Sequence, residues 1–136
     1  MRDATITPDT IRIFLHILGV TIWVGGQVVM MALLPVLRSA DVEGLPAKAA
    51  QGFQRVAWPA FGLAFFTGIW NIFAVDMANT TFAYSMVFGI KFLLVLISGG
   101  AAFVHARATT ASLRGITGAV GFLSAVIAMF LGFVMN

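Results

Sequence analysis

The sequence predicts an all-α integral membrane protein, an antiparallel bundle of four transmembrane helices. Three observations predict it. Apolar residues fill 60% of the 136 positions, with 14 glycines besides, and charged residues only 10%; a soluble domain holds roughly 45–50% apolar residues, glycine included, and about 25% charged ones. The few charges fall between long runs that are uncharged or nearly so. Each of those runs reaches the roughly 20 residues that a helix needs to cross about 30 Å of hydrocarbon. This composition excludes an ordinary soluble domain and a disordered chain, and makes the lipid bilayer the main partner of the surface.

The spans follow in order as about 9–37, 56–76, 81–105 and 113–135, a single transmembrane domain over residues 1–136. The first lies between Arg12 and Arg38 in its uncharged part and opens on Thr7-Pro8-Asp9. That triplet offers a hydroxyl cap, a proline at the first helical position and a carboxylate in the first turn. The run is too long for the roughly 7–15 apolar residues of a signal-peptide core, so it is expected to stay in the mature protein. Between the first two spans, 45–53 reads as a short interfacial helix. The second span runs from Arg55 to Asp76. Asn79-Thr80-Thr81 opens the third, which only Lys91 interrupts, and Ser112 opens the fourth. Trp58, Trp70, Phe82 and Tyr84 lie near span ends, where belt aromatics gather. No internal repeat or low-complexity tract is expected.

Basic residues near span ends set orientation. Arg38, Lys48, Arg55, Arg107 and Arg114 lie in the first and third connections, and only Arg2 and Arg12 lie on the other side. Both termini are therefore expected outside, with both basic connections in the cytoplasm. The net charge of +3 comes from basic residues scattered singly. Nucleic-acid binding needs them clustered on one face, so none is expected. With no cysteine, disulfides, thiolate metal sites and thiol catalysis are excluded.

Ionisable groups within a span are costly and mark function. His16 lies about 12 Å into the first helix and Lys91 about 15 Å into the third, at 1.5 Å per residue. Thr67 and Asn71 lie about 13 and 8 Å from the outer end of the second. These four side chains are expected to share one layer in the outer half of the membrane. His16, Gly19, Trp23, Gly26 and Met30 lie on one face of the first helix, whose glycines leave room for a flat group or for a close helix. Tyr84, Lys91, Ser98 and His105 recur every seven residues, so the polar groups of the third span share a face that is expected to look into the bundle. His105, at the cytoplasmic end, reads as an interfacial residue rather than a ligand. Gly118, Gly121, Ala125, Ala128 and Gly132 form a small-residue stripe that suits either packing inside the bundle or a homodimer.

A neutral imidazole ligates metals and haem iron, so His16 is the candidate ligand. Arg12, one turn outward, suits a porphyrin propionate. Lys91 serves either as a neutral amine, able to ligate metal or relay protons, or as a cation beside an anionic ligand; Asp76 is within snorkelling reach. Met30, Met31, Met77 and Met86 are soft donors that suit copper(I), though scattered methionines in so apolar a chain are mostly packing.

The stretch His16-Ile-Leu-Gly19-Val-Thr-Ile-Trp23-Val-Gly25-Gly26, with Pro35 and Arg38 after it, resembles the first helix of the copper resistance protein D (CopD) domain. Phe66-Thr67-Gly68-Ile-Trp70-Asn71 is similar to that family's second-helix Thr-Gly motif, and Lys91-Phe-Leu-Leu-Val to its third-helix lysine segment. The early His followed by Gly and Trp, with a later lysine, also resembles HemJ-type protoporphyrinogen oxidases. The sequence departs from the latter after Trp23, lacking the Leu-Pro-Arg-Leu-Phe-Val-Tyr-His continuation. What the resemblance implies is haem b on His16 and a functional role for Lys91, with a possible haem-dependent oxidoreductase activity and a redox partner. The expected cofactor site therefore comprises His16, Lys91, Arg12, Trp23, Thr67 and Asn71, with His16 on the metal. The alternatives are copper handling across the membrane, with His16 and methionines as ligands, and an accessory structural subunit of a membrane complex.

Overall fold

The computed structural model describes residues 4–135; Arg2, counted above for orientation, and Asn136 lie outside them. Four helices follow one another: α1 (Pro8–Ser39), α2 (Leu45–Ala74), α3 (Phe82–Arg107) and α4 (Ala111–Val134), with a short 3-10 turn at Met77–Asn79. Each of the four is long and apolar enough to cross a bilayer. The all-α, four-helix architecture is the one the sequence predicts, and it fits a multipass membrane protein.

The helix starts show which sequence signals governed. Thr7 caps α1: its hydroxyl accepts from the Thr10 amide at 3.2 Å, and Thr10 Oγ1 accepts from the Thr7 amide at 3.3 Å. Such reciprocal bonds satisfy two amides that have no partner within the helix. Thr81 caps α3, accepting from the Tyr84 amide. The fourth helix starts earlier than expected, because Thr110, in extended backbone, accepts from the Leu113 amide and Ser112 falls inside the first turn.

The expected interfacial helix over 45–53 is also corrected. It is the opening of α2, continuous to Ala74. Pro46 sits at the helix start, where its missing N–H costs nothing. The Ala, Lys and Gln residues after it are strong helix formers, and one exposed Gly52 costs only about 1 kcal/mol. Nothing in 47–58 is able to end the helix.

The chain divides into two compact helical hairpins, α1 with α2 and α3 with α4. In the first, Gly19 is the point of closest approach. A Cβ there would lie 2.7 Å from the Ala60 carbonyl oxygen and 2.8 Å from the Ala64 amide nitrogen. Gly26 is covered by the Phe53 ring. Of the two uses the sequence allowed for these glycines, they serve a close helix. Below Gly19, Trp23 is buried with its ring centroid 4.7 Å from Phe61 and 5.5 Å from Trp58. Trp58 thus joins an interior aromatic cluster of the hairpin.

In the second hairpin the polar face of α3 looks onto α4, as expected of a face turned inward. Ser98, almost fully buried, donates to the Gly121 carbonyl at 2.8 Å. A Cβ on Gly121 would meet Ala101 at 3.4 Å, and Ala125 and Ala128 are buried beside it. The small-residue stripe of α4 therefore packs inside this hairpin, where α3 covers it. A homodimer through that face would have to displace α3.

Large apolar side chains point outward on every helix, among them Phe14, Phe66, Phe73, Phe103, Phe130 and Phe133. Lipid tails are as apolar as these side chains, so the hydrophobic effect does not press the helices together; packing of small residues and interhelical hydrogen bonds must do so. Gly19→Val should consequently force α1 from α2 and lower stability in detergent by about 1–3 kcal/mol, as overpacking does. Gly25→Ala, with open space at that position, should leave the thermal midpoint unchanged or slightly raised. Equal effects of the two substitutions would contradict the packing.

Candidate functional site

His16 stands in the third turn of α1 and reaches across to α2. Its Nδ1 lies 2.9 Å from the Ala64 carbonyl oxygen and 3.1 Å from Thr67 Oγ1. A carbonyl oxygen only accepts, so Nδ1 carries the proton and donates it. The Thr67 hydroxyl spends its own hydrogen on the Leu63 carbonyl at 2.6 Å, a bond one turn back along α2. Its lone pair is thereby turned towards the imidazole. Gly68 makes room for the ring: a Cβ there would lie 3.4 Å from His16 Cε1. Fixing the proton on Nδ1 makes Nε2 the lone-pair nitrogen of the neutral ring, which is how second-shell carbonyls prepare metal-ligating histidines.

Arg12 precedes His16 by one turn and is buried, with 8% of its surface exposed. Its Nη2 pairs with Asp9 Oδ1 at 3.2 Å, while Nε and Nη1 have no hydrogen-bond partner among the described residues. A buried guanidinium with two nitrogens lacking partners is costly, and an anionic acceptor at either nitrogen would relieve part of that cost. Asn71 follows Thr67 by one turn and is half-buried. The antiparallel register that pairs His16 with Thr67 brings Asn71 to the level of Arg12. Arg12, His16, Thr67 and Asn71 thus line one stretch of the first hairpin, at the end away from its turn. Trp23, also expected at the site, lies deeper in the aromatic cluster.

Lys91 belongs to the second hairpin. Its Nζ lies 3.1 Å from the position that a Cβ on Gly132 would take, so the glycine of α4 provides the space for its amine. Asp76, considered above as its partner, accepts instead from the Ala78 amide and the Asn79 side-chain amide.

His105 stands in the last turn of α3. Its Nδ1 lies 2.8 Å from the Arg114 carbonyl oxygen and 3.4 Å from Thr117 Oγ1, and Thr117 donates to the Leu113 carbonyl at 2.7 Å. A Cβ on Gly118 would meet His105 Cε1 at 3.2 Å. This is the His16 arrangement again, with the same histidine, threonine and glycine contacts. Phe14-Leu15-His16 corresponds to Phe103-Val104-His105, and the Leu63, Thr67 and Gly68 pattern to Leu113, Thr117 and Gly118. A local clasp of histidine on threonine-glycine thus occurs once in each hairpin. Its signal in the sequence is Leu-x-x-x-Thr-Gly, twice. The partner carbonyls of Ala64 and Arg114 have no signal, because every residue carries one.

Fold and site define an all-α multi-span membrane protein with a polar clasp in each hairpin. No family model, curated protein or solved structure matches the chain.

Thr67 and His16 should be energetically coupled. In a double-mutant cycle of Thr67→Val with His16→Phe, detergent unfolding is expected to give a coupling of about 0.6 kcal/mol, the average for interhelical polar pairs in a membrane protein. Thr67→Ser should restore most of it. Additive losses would contradict the contact.

Proposed function

We propose that the chain is a multipass protein of the bacterial inner membrane, of the CopD/HemJ-like group, that binds haem b at its first hairpin. His16 would hold the iron through Nε2, Arg12 would meet a propionate, and Thr67 with Ala64 would hold the imidazole in place. Both termini lie outside, which puts this site in the outer half of the membrane. The observation that carries the reading is the Nδ1 hydrogen bond from His16 to the Ala64 carbonyl, because it leaves the ligating lone pair on Nε2.

The residues fit the group in two further respects. Arg12 offers two buried nitrogens that have no partner among the described residues, one turn from the histidine. Among the described residues no three His, Cys, Asp or Glu side chains gather as a metal site. A copper(II) ion held by nitrogen and oxygen donors would ask for such a set, whereas haem iron takes nitrogens from the porphyrin and needs only one or two protein ligands. The copper alternative rests on His16 with methionine thioethers, which are soft donors for copper(I). Bound haem supplies one-electron chemistry at its iron. The chain's own part is to orient the imidazole, to compensate the propionate charge through Arg12 and to surround the site with an apolar wall, and such features set a haem's potential.

The purified protein from haem-replete cells should show a Soret band that shifts and sharpens with dithionite. His16→Ala should lose that band or the larger part of it, and Arg12→Ala should retain less haem on dilution than the parent. A colourless preparation, or a spectrum unchanged in His16→Ala, would reject the assignment. Metal analysis of a colourless preparation after copper loading, and of His16→Ala and Met30→Ala variants, tests the copper alternative.

A further inference from the structure

The recurrence of the clasp carries a second site. In both hairpins a histidine of the first helix donates from Nδ1 to a carbonyl of the second helix, at 2.9 Å for His16 and 2.8 Å for His105. In both, a threonine three residues beyond that carbonyl lies beside the same nitrogen with its own proton spent one turn back. A glycine follows the threonine, and the ring rests over it. Whatever the first clasp prepares Nε2 to do, the second prepares it equally.

The charges around His105 fit an anionic cofactor. Arg114, which supplies the clasping carbonyl, directs Nη2 to the Ala108 carbonyl at 2.9 Å. Arg107 lies over the Phe103 ring, 3.6 Å from its centroid. No Asp or Glu occurs after Asp76, and Asp76 stands before the opposite end of α3, engaged with Ala78 and Asn79. Two arginines thus lie at the end of the hairpin that holds the tautomer-fixed histidine, Arg107 in the last turn of α3 and Arg114 in the first turn of α4, and no carboxylate side chain follows Asp76 in the sequence. Among the described residues no further His, Cys, Asp or Glu joins His105 in a group of three. An imidazole at an end with two arginines and no carboxylate suits a ligand that brings its own equatorial donors and its own negative charge.

We propose that His105 is a second haem-ligating position, equivalent to His16, with Arg107 and Arg114 as the propionate side of the site. This rests on the haem reading of His16. The test is haem per chain, measured by pyridine haemochrome on the full-length protein in detergent, for the parent, His16→Ala and His105→Ala. The parent should carry two haems, and each variant about half of the parent's content. One haem per chain that His16→Ala removes and His105→Ala leaves untouched would overturn the second site alone. A parent without haem would overturn this proposal together with the reading beneath it. His105→Met keeps the proposal open to test should His105→Ala fail to fold. A thioether also ligates haem iron, so half of the haem should then shift its reduced spectrum; a spectrum identical to the parent's would count against ligation by His105.

Discussion

The close approach of α1 to α2 at Gly19 is the constraint on which the first hairpin depends. It brings the backbone of Ala64 against α1, and the same residue then offers its carbonyl to His16 one turn away. With a larger residue at 19 the two backbones would separate, and the imidazole would lose the acceptor that fixes its proton. Packing and chemistry thus meet in one residue of α2 that carries no polar side chain. In lipid this economy is expected, since an interhelical hydrogen bond forms only where small residues admit a neighbouring backbone.

The second hairpin follows the same rule with different residues. Gly121 admits Ser98 to its carbonyl, Gly118 admits His105, and Gly132 admits the Lys91 amine. Each glycine of the α4 stripe thereby seats one polar residue of the α3 heptad. A stripe that reads as a generic packing surface is in fact a row of seats for particular side chains. The polar heptad and the small-residue stripe are two halves of one interface.

The fold was largely legible because span length, charge punctuation and the caps at Thr7 and Thr81 are local signals. The continuity of α2 was less so: the polar stretch 47–55 suggested an interface, while its helix propensity decided the outcome. The layer of His16 and Thr67 followed from helical rise alone, and these two residues do meet. What sequence reasoning missed was the role of backbone carbonyls, which leave no trace in residue identity. The recurrence of the clasp was hidden for a related reason. The histidine and threonine are 51 residues apart in the first hairpin and 12 in the second, since one clasp lies at the open end and the other beside the turn. Only antiparallel pairing makes those unequal separations equivalent.

The central claim is that a carbonyl of the facing helix fixes the proton of His16 on Nδ1 and so reserves Nε2 as a donor. Nitrogen-15 NMR of the cofactor-free protein, labelled at histidine and assigned by the His16→Phe variant, tests this most directly. The account predicts a protonated, pyrrole-type Nδ1 and an unprotonated Nε2 for His16 at neutral pH. A proton on Nε2, or rapid exchange between the two tautomers, would contradict it.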